Sequence, residues 1–290
     1  MAKQFFKAMG IFVRMVKIEH SVFALPFAIL GLVWSSNGAP GWAATILLIL
    51  AMVAVRSFAM GFNRLVDLPF DRDNPRTRGR PLVTGELSVA GTKFLLLICA
   101  GLFILACAGL NQLCLALAPY ALLWSAFYSY TKRFTPFCHF FLGTVLGLAP
   151  IAGWLAHDPT LTLPSTMLAF GVLFWVAGFD ILYATQDVEF DRSRGLHSMP
   201  ADLGLKTALA LACFSHVTAS LFFGFAGWAY GAGWIYFLTW GIVSAVLLSE
   251  HLLVDENSLS RVNLVFFTAN GFIAIVFMAG ALADIYILRA

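Results

Sequence analysis

Two segments of the chain place carboxylates at spacings suited to holding a hard cation. Asn63, Asp67 and Asp71 follow i, i+4, i+8, and Asp180, Asp187 and Asp191 follow i, i+7, i+11, with both segments closing in Asp-x-x-Phe-Asp-Arg. On a helix these spacings align each set along one stripe, with neighbours about a turn apart. Magnesium takes oxygen ligands and commonly bridges one or two carboxylates to the oxygens of a bound phosphate. Two such stripes predict a shared magnesium–diphosphate site. The loop Asp73-Asn74-Pro75-Arg76-Thr77-Arg78-Gly79-Arg80-Pro81-Leu82 adds guanidinium groups and ends the helix near Asp71. Forks at Arg76 and Arg80 suit diphosphate oxygens, and they equally suit anchoring against anionic lipid. Pro69 removes one helical hydrogen bond inside the first stripe and puts its spacing out of true, whereas the second stripe reads as regular.

The elements that carry these acids belong in a bilayer. Of 290 residues, 60% are apolar and 11% charged, at a mean hydropathy of +0.85, which excludes an ordinary soluble composition. Apolar runs of membrane-crossing length fall near His20–Ser36, Trp42–Phe62, Lys93–Leu110, Gln112–Tyr130, Pro136–Ala156, Leu163–Leu182, Lys206–Gly227, Trp234–Ser249 and Val262–Ile287. The predicted fold class is all-α, a polytopic membrane protein of about nine helices. With nine spans, 16 of the 18 basic residues fall on one face; Arg56 lies inside span two and Arg289 on the far side. The positive-inside rule then puts the amino terminus and both acidic motifs in the cytoplasm. Residues 1–19 read as a basic, amphipathic interfacial helix, retained because it leads into further spans. Cys99, Cys107, Cys114, Cys138 and Cys213 lie in apolar runs without Cys-x-x-Cys spacing and read as buried apolar side chains. His216 and His251 read as packing or interfacial residues.

These residues resemble the UbiA superfamily of intramembrane aromatic prenyltransferases. Asn63-x-x-x-Asp67-x-x-x-Asp71 with Asn74-x-Arg76-Thr77-x-x-Arg80-Pro81 is similar to its first motif, and Asp180-x-x-Tyr183-Ala184-x-x-Asp187-x-x-x-Asp191 to its second. Tyr128-x-x-x-Lys132-Arg133 is similar to a further element of the family. The resemblance covers nearly the whole chain, so residues 1–290 are expected to form a single transmembrane prenyltransferase domain in a bacterial or archaeal-type cell membrane. It implies a helical bundle around a cavity open to lipid, capped by both motifs. It further implies that Asn63, Asp67, Asp71, Asp187 and Asp191 hold two Mg²⁺ ions on a prenyl diphosphate. Arg76, Arg80 and Lys132 are then the candidates to grip the diphosphate, together with Asn63. Tyr183 is a candidate to orient a ligand, or an interfacial packing residue.

Carbon–oxygen cleavage builds negative charge on the leaving diphosphate, so fixed cations there stabilise the transition state more than the ground state. An electron-rich ring carbon beside a phenol oxygen then captures the allylic cation in a dry cavity. Asp191 is the candidate to assist deprotonation of the phenol or ring. Arg56, a costly cation within a span, either pairs with an acid or meets the acceptor's carboxylate. The entry segment Lys17–Phe27 and the form of the first motif are similar to the branch that prenylates 4-hydroxybenzoate in ubiquinone biosynthesis. They are also similar to enzymes that prenylate 1,4-dihydroxy-6-naphthoate on a menaquinone route. Asn63-Arg64 stands where quinone-pathway relatives often carry Asn-Asp. The expected partners are a polyprenyl diphosphate, an aromatic carboxylic acid and membrane lipid, with no nucleic acid. The alternatives are a secondary transporter, which would want its acids near the midplane, and haem-type farnesyl transfer, whose usual methionine after the first motif is missing.

Overall fold

The computed structural model describes residues 2–17, 23–253, 262 and 268–288, and among them every regular element is helical. In chain order these are α1 (Ala2–Val16), α2 (Leu25–Ser35), α3 (Trp42–Val66), α4 (Leu68–Asp73), α5 (Pro81–Thr84), α6 (Val89–Leu110) and α7 (Gln112–Thr131). They continue with α8 (Cys138–Leu155), α9 (Leu163–Ala184), a 3₁₀ turn (Thr185–Asp187), α10 (Val188–Arg194) and α11 (Met199–Leu203). The last are α12 (Leu205–Tyr230), α13 (Trp234–Leu253) and α14 (Asn270–Leu288).

Eight helices among the described residues are long and apolar enough to cross a membrane. The first expected span, His20–Ser36, differs. Its described helix, α2, has 11 residues, a rise of about 16 Å against a hydrocarbon core of about 30 Å. Pro26 sits in its first turn, where the missing N–H costs nothing, and marks the start. Of the ninth expected span, Val262–Ile287, the helix from Asn270 onward is described, and residues 263–267 lie outside the described residues, as do Glu19, His20, Arg261 and Arg289.

The chain divides into two compact units, residues 1–21 with 46–130, and residues 22–45 with 131–290. In the first unit the apolar face of α1 (Ile11, Phe12, Met15, Val16) packs on Leu82, Leu87, Leu95 and Leu96. Ser88 caps α6 by accepting the Gly91 N–H at 3.0 Å. The opposite surfaces of α6 and α7 expose Leu97, Leu105, Tyr120 and Leu123, which suits lipid contact.

In the second unit α2, α8, α9, α12 and α14 pack together. Phe27 stacks on Phe223 at 5.6 Å and meets Trp175 and Phe277 at 5.3 and 5.7 Å. Trp175 is fully buried and donates its indole N–H to Asn270 Oδ1 at 2.6 Å. Lipid chains are as apolar as these rings, so association among spans depends on close packing and satisfied polar groups. Glycine provides the closeness: a Cβ on Gly153 would lie 1.8 Å from the Ala28 carbonyl oxygen, so α8 touches α2 backbone to backbone.

Candidate active site

In the first unit, α3 gives way at Asp67, whose φ of −87° and ψ of 0° leave the regular helix before α4 starts. Pro69, at the head of α4, explains the break, because its ring cannot follow an uninterrupted helical turn. The i, i+4 relation survives the break. The Asp67 N–H still donates to the Asn63 carbonyl at 2.9 Å and the Asp71 N–H to that of Asp67 at 2.8 Å. The Asn63 side-chain N–H₂ donates to Asp67 Oδ2 at 2.9 Å, and Arg64 Nη1 donates to Asn63 Oδ1 at 3.2 Å. Arg64 is also coupled electrostatically to Asp67, Asp71 and Arg80.

Asp71 is buried, and Arg80 Nη1 donates to both of its carboxylate oxygens at 2.6 Å. The loop between them is shaped by its own side chains. Asn74 Oδ1 accepts the Arg76 backbone N–H at 2.9 Å, an Asx turn, and the buried Thr77 hydroxyl donates to the Asp71 carbonyl at 3.1 Å. Arg76 is exposed on that loop. Arg56 keeps a buried Nε with no hydrogen-bond partner, and both Arg56 and Arg64 are coupled electrostatically to Tyr128.

The second unit corrects the expected stripe. Asp180, Asp187 and Asp191 do not share a continuous α-helix: α9 ends at Ala184 and a 3₁₀ turn runs to Asp187 before α10 resumes. At about three residues per turn, that segment rotates Asp187 and Asp191 away from the direction of Asp180. Asp180 has its own partner, His139 Nδ1 at 2.7 Å. The Met199 N–H donates to His139 Nε2 at 3.3 Å, so the imidazole is held at both ring nitrogens with Nδ1 facing Asp180.

Asp191 is fully buried and Asp187 is buried. The Lys132 ammonium lies 2.8 Å from Asp191 Oδ1, an ion pair not aligned as a hydrogen bond, and the Ser198 hydroxyl donates to Oδ2 at 3.0 Å. Backbone contacts hold these partners in place: the His197 N–H donates to the Lys132 carbonyl at 2.7 Å and the Leu196 N–H to the Asp191 carbonyl at 2.9 Å. Burial pulls the Lys132 pKa down, but the Asp191 carboxylate outweighs it and leaves the ammonium above its ordinary value. Arg192 donates from Nε to the Ala201 carbonyl at 2.8 Å and thereby pins α11. Tyr183 is partly buried against the apolar cluster that contains Ile181, Leu182 and Met199.

The two motifs thus share a local design. In each, the final acid is buried and faces a cation that the sequence marks for the diphosphate, Arg80 in one and Lys132 in the other. Among the described residues no group of three or more His, Cys, Asp or Glu side chains is clustered to hold a metal. Magnesium needs no all-protein cage when phosphate oxygens complete its shell. Each motif taken by itself offers hard oxygens that fit that ion, Asn63 with Asp67 and Asp71 in the first unit, and Asp187 with Asp191 in the second.

Sequence reading missed Ser198, His139 and Thr77 as partners of the motif residues. Ser198 alone left a local sign, since Ser-Met-Pro announces a helix N-cap with proline in the first turn.

The sequence matches the UbiA prenyltransferase family over residues 24–277. It is 29% identical over 270 residues to the 4-hydroxybenzoate octaprenyltransferase of Methylobacillus flagellatus, covering 90% of both chains. The fold superposes on a UbiA homolog from Aeropyrum pernix K1 with a TM-score of 0.83 at 35% identity, over 92% of this chain and 98% of the other. A UbiA homolog from Archaeoglobus fulgidus, whose structure holds DMAPP and Mg²⁺, shares the fold at a TM-score of 0.71 and 20% identity, over 95% of this chain and 99% of that one. The match across most of the chain, the eight membrane-length helices and the paired acidic motifs make this an integral membrane prenyltransferase belonging to the UbiA family.

Proposed function

We propose that the chain transfers a polyprenyl group from its diphosphate to an aromatic carboxylic acid, with magnesium, in quinone biosynthesis. Support for the acceptor class comes from the curated relatives, which are named for 4-hydroxybenzoate; 1,4-dihydroxy-6-naphthoate is the second acceptor to be tested. The observation that carries the reading is the repeated pairing of a buried terminal acid with a cation, Asp71 with Arg80 and Asp191 with Lys132. Asn63, Asp67 and Asp71 in one motif, and Asp187 and Asp191 in the other, are assigned to hold two magnesium ions. Bound magnesium supplies Lewis-acid stabilisation of the leaving diphosphate.

The chain's own residues do the rest. Arg80 and Lys132 exchange part of their carboxylate contact for diphosphate oxygens as charge grows there, and the exposed Arg76 adds a guanidinium from the loop. Asp191 faces the Lys132 ammonium and the Ser198 hydroxyl at once, which suits it as a fixed anion. Arg56, with its buried unpartnered Nε, is assigned to the acceptor's carboxylate, and Tyr183 to orienting a ligand. Residues 1–290 are read as one catalytic domain, with the amino terminus and both motifs on the cytoplasmic face, since the basic residues gather there when the segment containing α2 is counted as the first of nine crossings.

The test assays membranes containing the chain with a long-chain prenyl diphosphate against 4-hydroxybenzoate and 1,4-dihydroxy-6-naphthoate in parallel. Product is expected with magnesium and not with chelator, and is expected to vanish in Asp67→Ala and Asp187→Ala. Full activity in both variants, or prenylated product formed without divalent cation, would overturn the reading.

A further inference from the structure

The first unit carries a second feature that the reaction does not use. Helix α1 bears Lys3, Lys7 and Arg14 and no acidic residue, and Lys17 follows it. Its apolar face is committed to the unit's own core through Ile11, Phe12, Met15 and Val16, so the opposite face is left to the surroundings. On that face Phe6, Lys7, Gly10 and Arg14 are exposed, Phe6 to 70%. Lys7 and Arg14 are seven residues apart, two helical turns or about 10 Å along one side. Between them stands Gly10, and a Cβ built there would meet nothing within 4 Å.

The result is a groove of about 470 Å³ lined by Phe6, Lys7, Gly10, Ile11, Arg14 and Glu86. A cation stands at each end, a side-chain-free floor lies between them, and an exposed aromatic ring flanks one cation. Arg14 is partly neutralised by Glu86 at 3.0 Å, an exposed pair that is readily exchanged.

We propose that this groove binds the headgroup of an anionic phospholipid. Its phosphate lies over Gly10 between Lys7 and Arg14, and Phe6 rests against the start of the acyl chains. A phosphate-bearing lipid matches both halves of the lining, because an exposed phenylalanine beside a cation is costly in water and favourable at a bilayer interface. The inference does not depend on the acceptor or on the magnesium site.

Purified full-length protein in neutral detergent is titrated with short-chain phosphatidylglycerol, phosphatidylcholine or inorganic phosphate, and bound lipid is counted by native mass spectrometry. One phosphatidylglycerol is expected to bind at least tenfold more tightly than phosphatidylcholine, and inorganic phosphate is expected not to compete. Lys7→Gln with Arg14→Gln should abolish that preference, and Glu86→Gln should strengthen binding a few-fold by freeing Arg14. Gly10→Leu fills the groove floor while leaving every charge in place and disturbing no neighbour, and it should lose the bound lipid. Wild-type binding by Gly10→Leu would show a diffuse positive surface and overturn the proposal. Equal binding of the two lipids, or competition by inorganic phosphate, would overturn it as well.

Discussion

Replacing Asp191 by Asn separates two roles that the buried Asp191 and Lys132 pair could play. Asparagine has nearly the shape of aspartate, and its oxygen can still accept the Ser198 hydroxyl now 3.0 Å away, so the change removes the charge and turns an N–H₂ toward Lys132 in place of the second carboxylate oxygen. It strands an ammonium that lies 2.8 Å from the lost carboxylate oxygen. Breaking a fully buried pair from one side costs about 3–5 kcal/mol. The Lys132 side chain is 34% exposed and can turn toward water, so screening lowers the expected cost to about 1–2 kcal/mol. A melting-point loss of about 2–3 °C follows for a chain of this size.

Lys132→Met added to Asp191→Asn removes the stranded cation and should restore most of that loss. The double-mutant cycle should give a coupling of about 1–2 kcal/mol in thermal unfolding of the detergent-solubilised protein. Activity should behave differently. If Asp191 and Lys132 act on the charge that grows on the leaving group, Asp191→Asn should lower kcat about 10²–10³-fold, and the double variant should be no better. Recovery of turnover together with melting point in the double variant would reduce the pair to a structural one and refute the argument. So would wild-type kcat in Asp191→Asn.

Asp180→Asn should leave kcat within about twofold of wild type in the prenyl-transfer assay, because Asp180 faces His139 and an amide oxygen can still accept from Nδ1; Asp180→Leu strands that donor and should cost about 1–3 kcal/mol in thermal unfolding. Gly153→Ala places its Cβ 1.8 Å from the Ala28 carbonyl oxygen and must part α8 from α2, so a loss of at least about 1–3 kcal/mol is expected, whereas Gly101→Ala, with open space around its Cβ, should be neutral or stabilising by up to about 1 kcal/mol. Arg80→Lys keeps a cation beside Asp71 but gives up guanidinium geometry; its stability to unfolding should fall by about 1 kcal/mol or less while the KM for prenyl diphosphate rises about tenfold or more, and an unchanged KM would remove Arg80 from the diphosphate site.

The spans were legible because a bilayer interior demands long apolar helices, and a run such as Val89–Leu110 can be little else. Helix α2 covers only part of its apolar run, and its apolar residues have a second cause. Phe27, Leu30, Leu32 and Trp34 are apolar because they are buried in protein, and hydropathy alone does not distinguish that burial from lipid. The acids were legible because carboxylates among apolar residues need a partner or a function, yet their partners were not. Lys132, Ser198 and Asp191 meet only because the loop after α10 returns to the end of α7 through the His197 and Lys132 backbones, a closure with no local periodicity. The 3₁₀ turn at Thr185–Asp187 was equally hidden, since neither glycine nor proline marks it, whereas Pro69 advertised its counterpart in the first motif. Arg64, which read as a departure from the usual pattern, also has a physical account. It donates to Asn63 and is drawn to Asp67 and Asp71 against the repulsion of Arg80. Two cations therefore face two carboxylates in the first motif before any metal binds. An acid at position 64 would leave Arg80 alone to offset three carboxylates, so the residue that sets this chain apart alters the charge balance of the first motif by about two elementary charges.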